Sequence, residues 1–329
     1  MKFRLEHWRI LVLCVVVALA AAVAVSAGQA SRGAKKLTTI NIGVVALSDY
    51  APIYIAQKYR LFAKHGLSVN ITSVASSSGL LPLLVNGTLQ FATATPANEF
   101  GPVVNGIPIK FVSSTDTGKI NVPPLVAVGP NTGIKTMKQT TGKTFCLPAV
   151  GSGSQLNIEA WAEKAGVDPT TLKFTVAPNA AMVAAIQSGK CDGALIPSPF
   201  YEIGKAAGFI NLGNPFFAFG GVGVPVGSVV TLGTYSSAHA STVKAFIAAM
   251  TDAVRYAGAH PKAVRALLPT YAGITQEQAN AVILPLYTTK LPLKALQKEA
   301  DYAAKIHFIN GTVNVRTQML APGAPTVNR

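Results

Sequence analysis

The chain has 329 residues, with 28 Lys and Arg against 13 Asp and Glu, for a formal net charge of +15. Hydrophobic residues make up 50% of it and charged residues only 12%, which excludes a disordered chain; the length excludes a disulfide-stapled miniprotein. At about 100–200 residues per domain there is room for two domains. The absence of a second long apolar run excludes a multispan membrane protein.

At the N-terminus, Lys2, Arg4 and Arg9 precede an uncharged stretch from Ile10 to Ala27, ending in Val25-Ser26-Ala27 before Gly28. This predicts a secretory signal over residues 1–27, cleaved rather than kept as an anchor. Cys14 lies inside the apolar run rather than at its end, which argues against a lipoprotein and for a free periplasmic protein. Residues 28–37 read as an exposed leader. The remaining basic residues are scattered with no interleaved aromatics, so the expectation is a solvated basic surface and no nucleic-acid partner.

The core pattern opens with a buried strand over Thr39–Val45 and a polar loop, Leu47-Ser48-Asp49-Tyr50-Ala51. Pro52 suits the first turn of a helix that runs to a stop at Gly66. A strand at Leu67–Val74, a Ser76-Ser77-Ser78-Gly79 turn and a helix to Asn86-Gly87 follow. Then come a strand at Phe91–Thr95, a helix at Ala97–Val104 and a strand at Ile107–Ser113.

The alternation restarts after Val122-Pro123-Pro124. Strands are predicted at Leu125–Val128, Thr144–Pro148, Lys173–Ala177 and Gly193–Ile196. Helices are predicted from Gly151-Ser152-Gly153-Ser154 to Ala165, at Ala180–Ser188 and at Phe200–Ala207. A Gly-rich stretch, Phe219 to Gly223, precedes one more strand at Ser228–Thr234; the rest reads as helix. Strand–helix alternation gives an α/β chain with parallel sheets and right-handed crossovers. Periodicity leaves open whether the C-terminal helices belong to the second unit or return to the first.

Catalytic signatures fail. Gly142-Lys143-Thr144 lacks the upstream glycine of a phosphate loop, where Met137 stands, and no serine sits in G-x-S-x-G. The five histidines are dispersed, so no metal site and no cofactor are expected. Beyond the signal, Cys146 and Cys191 lie in apolar segments; two buried thiols are favoured over a disulfide.

What recurs is small polar residues where strands end and helices begin. Ser48, Asp49 and Tyr50 follow the first strand, and Ser76, Ser77 and Ser78 the second. Thr95 and Asn98 follow the third, Ser152, Gly153 and Ser154 open the main helix of the second unit, and Ser198 and Tyr201 follow a later strand. Ligands of parallel α/β sheets bind at the carboxyl ends of strands, where helix N-termini present free N–H groups. Taken together these residues form a candidate ligand-binding cleft rather than a set of helix caps. None of these loops holds Arg or Lys. Asp49, Asp116, Glu99 and Glu202 would suit an amine, and Tyr50, Tyr54, Phe200 and Tyr201 a flat ring.

Ala51-Pro52-Ile53-Tyr54-Ile55-Ala56-Gln57 followed by Leu61-Phe62-Ala63-Lys64-His65-Gly66-Leu67 resembles the opening of the nitrate/sulfonate/taurine and thiamine-precursor binding proteins of ABC importers. Asn86-Gly87-Thr88-Leu89-Gln90-Phe91-Ala92 is similar to their next strand entry, with Gln90 in place of the usual acid. Ile134 to Lys138, Gly151 to Ser154, Ala165 to Pro169 and Ala184 to Ala194 continue the likeness in order. The resemblance implies a type 2 periplasmic binding protein fold, two lobes each with a mostly parallel sheet flanked by helices. It puts lobe 1 at 38–116 and 226–310, lobe 2 at 117–225 and a tail at 311–329, with crossovers near Ser114–Asn121 and Gly220–Val226. It implies a monomer that closes on a small-molecule ligand, sulfonate-like or heteroaromatic, and delivers it to an inner-membrane permease. The alternatives are an enzyme like the fungal thiamine-pyrimidine synthases, whose pocket histidine is missing here, and a solute-sensing module.

Overall fold

The structure is a computed structural model that describes residues 36–219 and 225–328. The expected signal over 1–27, nearly all of the leader and most of the second crossover at Gly220–Val226 lie outside the described residues.

Fourteen strands are described: β1 Thr38–Val45, β2 Leu67–Val74, β3 Phe91–Ala94, β4 Ile109–Ser114, β5 Asp116–Thr117, β6 Leu125–Val128, β7 Thr144–Leu147, β8 Lys173–Val176, β9 Gly193–Ile196, β10 Ile210–Gly213, β11 Ser228–Leu232, β12 Leu286–Tyr287, β13 Leu291–Pro292 and β14 Thr326–Val327. Two five-stranded sheets carry the fold, in the orders β2-β1-β3-β11-β4 and β10-β6-β9-β7-β8. In the first, β1 runs parallel to β2 and β3, and β11 lies antiparallel between β3 and β4. In the second, β7 runs parallel to β8 and β9, and β6 pairs antiparallel with β9 and β10. Each sheet therefore has one antiparallel strand next to its centre, and that strand is the first after a crossover from the other sheet. This is the expected α/β architecture of two lobes with mostly parallel sheets.

The central strands are apolar on both faces because helices cover both. Ile40, Ile42, Val44, Phe91, Val126 and Phe145 are fully buried. Helix α1, Ala51–Lys58, carries Pro52 in its first turn and buries Ile53 and Ile55. The single helix expected up to Gly66 is in fact two. Arg60 takes a left-handed conformation (φ 56°) and a short helix, Leu61–Lys64, restarts after it. Helix α2, Gly153–Lys164, is the main helix of the second lobe. Helix α3, Ala240–Ala259, packs Phe246 between Phe91 and Phe62, so the C-terminal half returns to the first lobe. Helix α4, Leu293–Lys305, follows. Close to the C-terminus, Met319 and Ala321 hydrogen-bond Phe111 of β4 through the backbone. β10 and the 3-10 turn at Pro215–Ala218 were not expected from the sequence.

One expectation is overturned. Cys146 on β7 and Cys191 just before β9 form a disulfide, their Cα atoms 5.7 Å apart. The two segments are apolar because β7 and β9 are neighbours in the core, and that adjacency is what brings the sulfurs together.

Candidate functional site

The carboxyl ends of β1, β2 and β3 face those of β7 and β9 across the junction of the lobes. A cavity of about 60 Å³ lies between them. A second cavity of about 150 Å³ shares Ser76, Ser77, Asn98 and Ser152 with it.

Most of the expected residues meet here. Asp49, Tyr50, Ser76, Ser77, Thr95 and Asn98 wall the cavity from the first lobe, and Ser152 and Ser154 from the second. Gly153 lies at the seam, where its backbone N–H donates to Asn98 Oδ1 at 2.5 Å. Asn98 Nδ2 in turn donates to Ser77 Oγ at 2.9 Å. Ser78 lies in the 3-10 turn Ser77–Gly79, and nothing is described of its side chain.

Three residues do structural work beside the cavity. The N–H of Ser48 donates to the carbonyl of Ser198 at 3.1 Å, another bond between lobes. Ser198 Oγ donates to Glu202 Oε1 at 2.7 Å. Tyr201 is buried on the helix Phe200–Ala206 and is not part of the cavity wall. Two further ring candidates are also occupied elsewhere: Tyr54 stacks on Tyr271 with centroids 3.7 Å apart, and Phe200 is buried beside a separate cavity.

Sequence reading missed the apolar walls, Pro124, Pro148, Leu195, Pro197 and Phe216 among them, and the polar Asn179. The prolines carried a usable signal. Pro148 and Pro197 stand immediately after β7 and β9. Pro124 stands immediately before β6, whose antiparallel course brings its start to the same end.

The electrostatics are acidic and desolvated. Burial, with Asp116 and Glu202 close by, holds the Asp49 carboxyl well above the usual carboxylate range. Burial pushes Asp116 up to about 7, against the opposing effect of the Gly227 N–H and the Thr115 hydroxyl. The Asp49 and Asp116 carboxyls lie next to each other, and no protein donor serves Asp49 Oδ1 or Asp116 Oδ2. Adjacent buried carboxyls cannot both ionise at low cost, which favours a proton held by the pair. Asp116 Oδ1 also accepts the Gly227 N–H at 2.8 Å. Asp116 lies in the expected first crossover and Gly227 immediately after the expected second, so the cavity acid reaches, through Asp116, segments that lead from one sheet to the other. Burial likewise pushes Glu99 up to about 8. Among the described residues, no Lys or Arg lines the cavity. Among the described residues, no group of three or more His, Cys, Asp or Glu is placed to hold a metal ion, and no helix is long and apolar enough to cross a membrane.

A model of the NMT1-like family matches residues 33–269. The chain belongs to the NMT1-like family. Among solved structures, the alkanesulfonate-binding protein SsuA from Xanthomonas axonopodis pv. citri, bound to MOPS, superposes with a TM-score of 0.71 at 16% identity, covering 86% of this chain and 98% of that one. The periplasmic nitrate-binding protein NrtA from Synechocystis PCC 6803 gives 0.69 at 15% identity, covering 86% and 85%. A Candida albicans protein described as having the generic periplasmic binding protein fold gives 0.66 at 16% identity, covering 87% and 97%. These likenesses establish that this NMT1-like chain has the periplasmic binding protein fold. No curated protein matches its sequence.

Proposed function

We propose that this protein is the solute-binding component of an ABC importer, exported to the periplasm by a cleaved signal and acting there as a monomer. It captures a small solute between its lobes and hands it to an inner-membrane permease. The observation that carries this reading is a cavity walled by hydroxyls, an amide and one carboxyl from both lobes, with Asn98 and Gly153 joined across it. A ligand touching both lobes binds the closed state more tightly than the open one, which is the requirement for closure on binding. The fold's neighbours SsuA and NrtA are an alkanesulfonate-binding and a nitrate-binding protein, and the family membership supports the same class. The walls hold no paired nucleophile and base, which favours capture over turnover.

The test is native mass spectrometry and thermal shift on the mature protein, purified from its own cells. A retained or added solute should bind one to one and be recovered chemically unchanged. At 100 times its dissociation constant it should stabilise the fold by about 2.7 kcal/mol. Deleting the gene for this protein should abolish high-affinity uptake of that solute. Chemical conversion of the bound solute would overturn the reading in favour of an enzyme of the thiamine-pyrimidine-synthase kind.

A further inference from the structure

We infer that the ligand is a small primary amine, bound as the ammonium ion, whose charge is met by Asp49 and which carries no acidic group of its own. This rests on the solute-binding reading and names the chemical class that this cavity accepts.

Three observations support it. First, Asp49 is 3% exposed and is the one charged-type side chain in the wall, with no cation beside it. An anionic ligand would enter next to a buried acid pair with nothing to neutralise it. Second, one of the amides that would serve an anion at the start of α2 is already engaged: the Gly153 N–H donates to Asn98 Oδ1. Third, Ser152 is 9% exposed and lines the cavity, and its buried Oγ has no hydrogen-bond partner in the protein. A hydroxyl and a carboxylate on opposite lobes can both accept from one ammonium group, and such a ligand bridges the lobes.

The cavity also limits the ligand's shape. Its 60 Å³ hold about four waters, at roughly 15 Å³ for each, so the part of the ligand beside Asp49 is a few non-hydrogen atoms across. Tyr50 and Phe216 are the aromatic rings in the wall, too few to cage a quaternary ammonium, which would also leave both acceptors unserved. A hydrogen-bonding primary ammonium fits where a quaternary one does not.

Binding has a proton consequence. The proton held between Asp49 and Asp116 is displaced when the ammonium supplies donors and charge at Asp49, and it leaves to the buffer. The groups facing Asp49 are Asp116, Glu202, Tyr50, Tyr271 and Tyr287, with Arg265 acting on Tyr287. Of these, Asp116 is pushed up to about 7, so affinity for an amine rises with pH through that range.

The experiment is isothermal titration of the mature protein with ethanolamine, propylamine, tetramethylammonium, nitrate and methanesulfonate, all similar in size. Each is run in phosphate and in Bis-Tris, a bulky tertiary amine, so that the heat difference counts protons. Binding of ethanolamine or propylamine with proton release supports the inference, provided Asp49→Asn weakens it by about 100-fold while its melting temperature shows that it folds. Ser152→Ala should weaken the same amine without altering proton release. Binding of nitrate or methanesulfonate without the amines overturns the inference and leaves the solute-binding reading intact. So does amine binding indifferent to Asp49→Asn, and so does silence of both amines. Failure of the solute-binding reading shows separately, as conversion of the retained solute in the mass spectrum.

Discussion

The N–H of Gly153 and the Oδ1 of Asn98 meet at 2.5 Å across the mouth of the cleft, joining the first turn of the second lobe's main helix to a loop of the first lobe. The approach is close because Gly153 has no side chain. A Cβ there would lie 2.9 Å from Ala97 Cβ, 3.1 Å from Thr95 Cγ2 and 3.2 Å from Asn98 Oδ1.

Gly153→Ala should therefore hold the lobes apart without harming either. Alanine favours the helix, so the melting temperature should change little. Affinity for the ligand should fall by about tenfold or more, equivalent to about 1.4 kcal/mol. The radius of gyration from small-angle scattering should stay at its open value when ligand is added.

Gly227→Ala tests the hinge. A Cβ at this position would sit 2.5 Å from Thr115 Oγ1, 2.9 Å from Tyr50 Cε1 and 3.0 Å from Asp116 Oδ1. Every one of these atoms is buried, so the clash has no easy relief. Overpacking of this kind costs roughly 1–3 kcal/mol, and chemical denaturation should show a loss of that size. Because Tyr50 and Asp116 must shift, ligand affinity should fall as well.

The bridge between Cys146 and Cys191 closes a loop of 45 positions within the second lobe. The chain-entropy model gives about 4 kcal/mol of stabilisation for a loop of this length. The double variant Cys146→Ala and Cys191→Ala, or reduced wild type, should lose up to that amount in denaturant titrations. The first lobe should keep its packing around Phe246.

Glu299 on α4 gives the fold a pH dependence. It is fully buried, its Oε1 accepts from Asn157 of α2 at 3.2 Å, and burial raises its carboxyl to about 8. The folded chain thus holds a proton that the unfolded chain releases near 4.5. Its contribution to stability is full below that value and is lost as pH rises towards 8, at a slope on the order of 1 kcal/mol per pH unit. Glu99, raised to about 8, and Asp116, raised to about 7, act in the same direction. Glu299→Gln removes one such group. Urea midpoints between pH 5 and 8 should fall less steeply for this variant than for wild type.

Much of this was legible in the sequence for a simple reason. β2, β6 and β9 are continuous or alternating apolar runs bounded by Gly, Pro or polar turns, and their limits match the reading to the residue. β10 was illegible because it is a short edge strand interrupted by Asn211. The break at Arg60 left no Gly or Pro to mark it. In the site, serine positions at strand ends were visible, but their partners were not. Ser198 is turned away by Glu202, a neighbour one helical turn on, and Ser48 is held by the backbone of Ser198. The Asp49–Asp116 pair is a product of topology, because β5 reaches the cavity only once the crossover has formed. The same holds for the disulfide, which needed the pairing of β7 with β9.

The strand order also dictates how the chain assembles. The second sheet is built from one uninterrupted stretch, β6 to β10, and can form as soon as that stretch exists. The first cannot, because β11 fills the slot between β3 and β4. Ser114 and Gly227, 113 positions apart, are bonded at the edge of that slot, and the strip around Met319 and Ala321 finishes the far side of β4. The lobe that begins the chain is therefore the last to be completed. Until β11 arrives, β3 and β4 present unpaired edges, and those edges are where a stalled or truncated chain would stick to its neighbours.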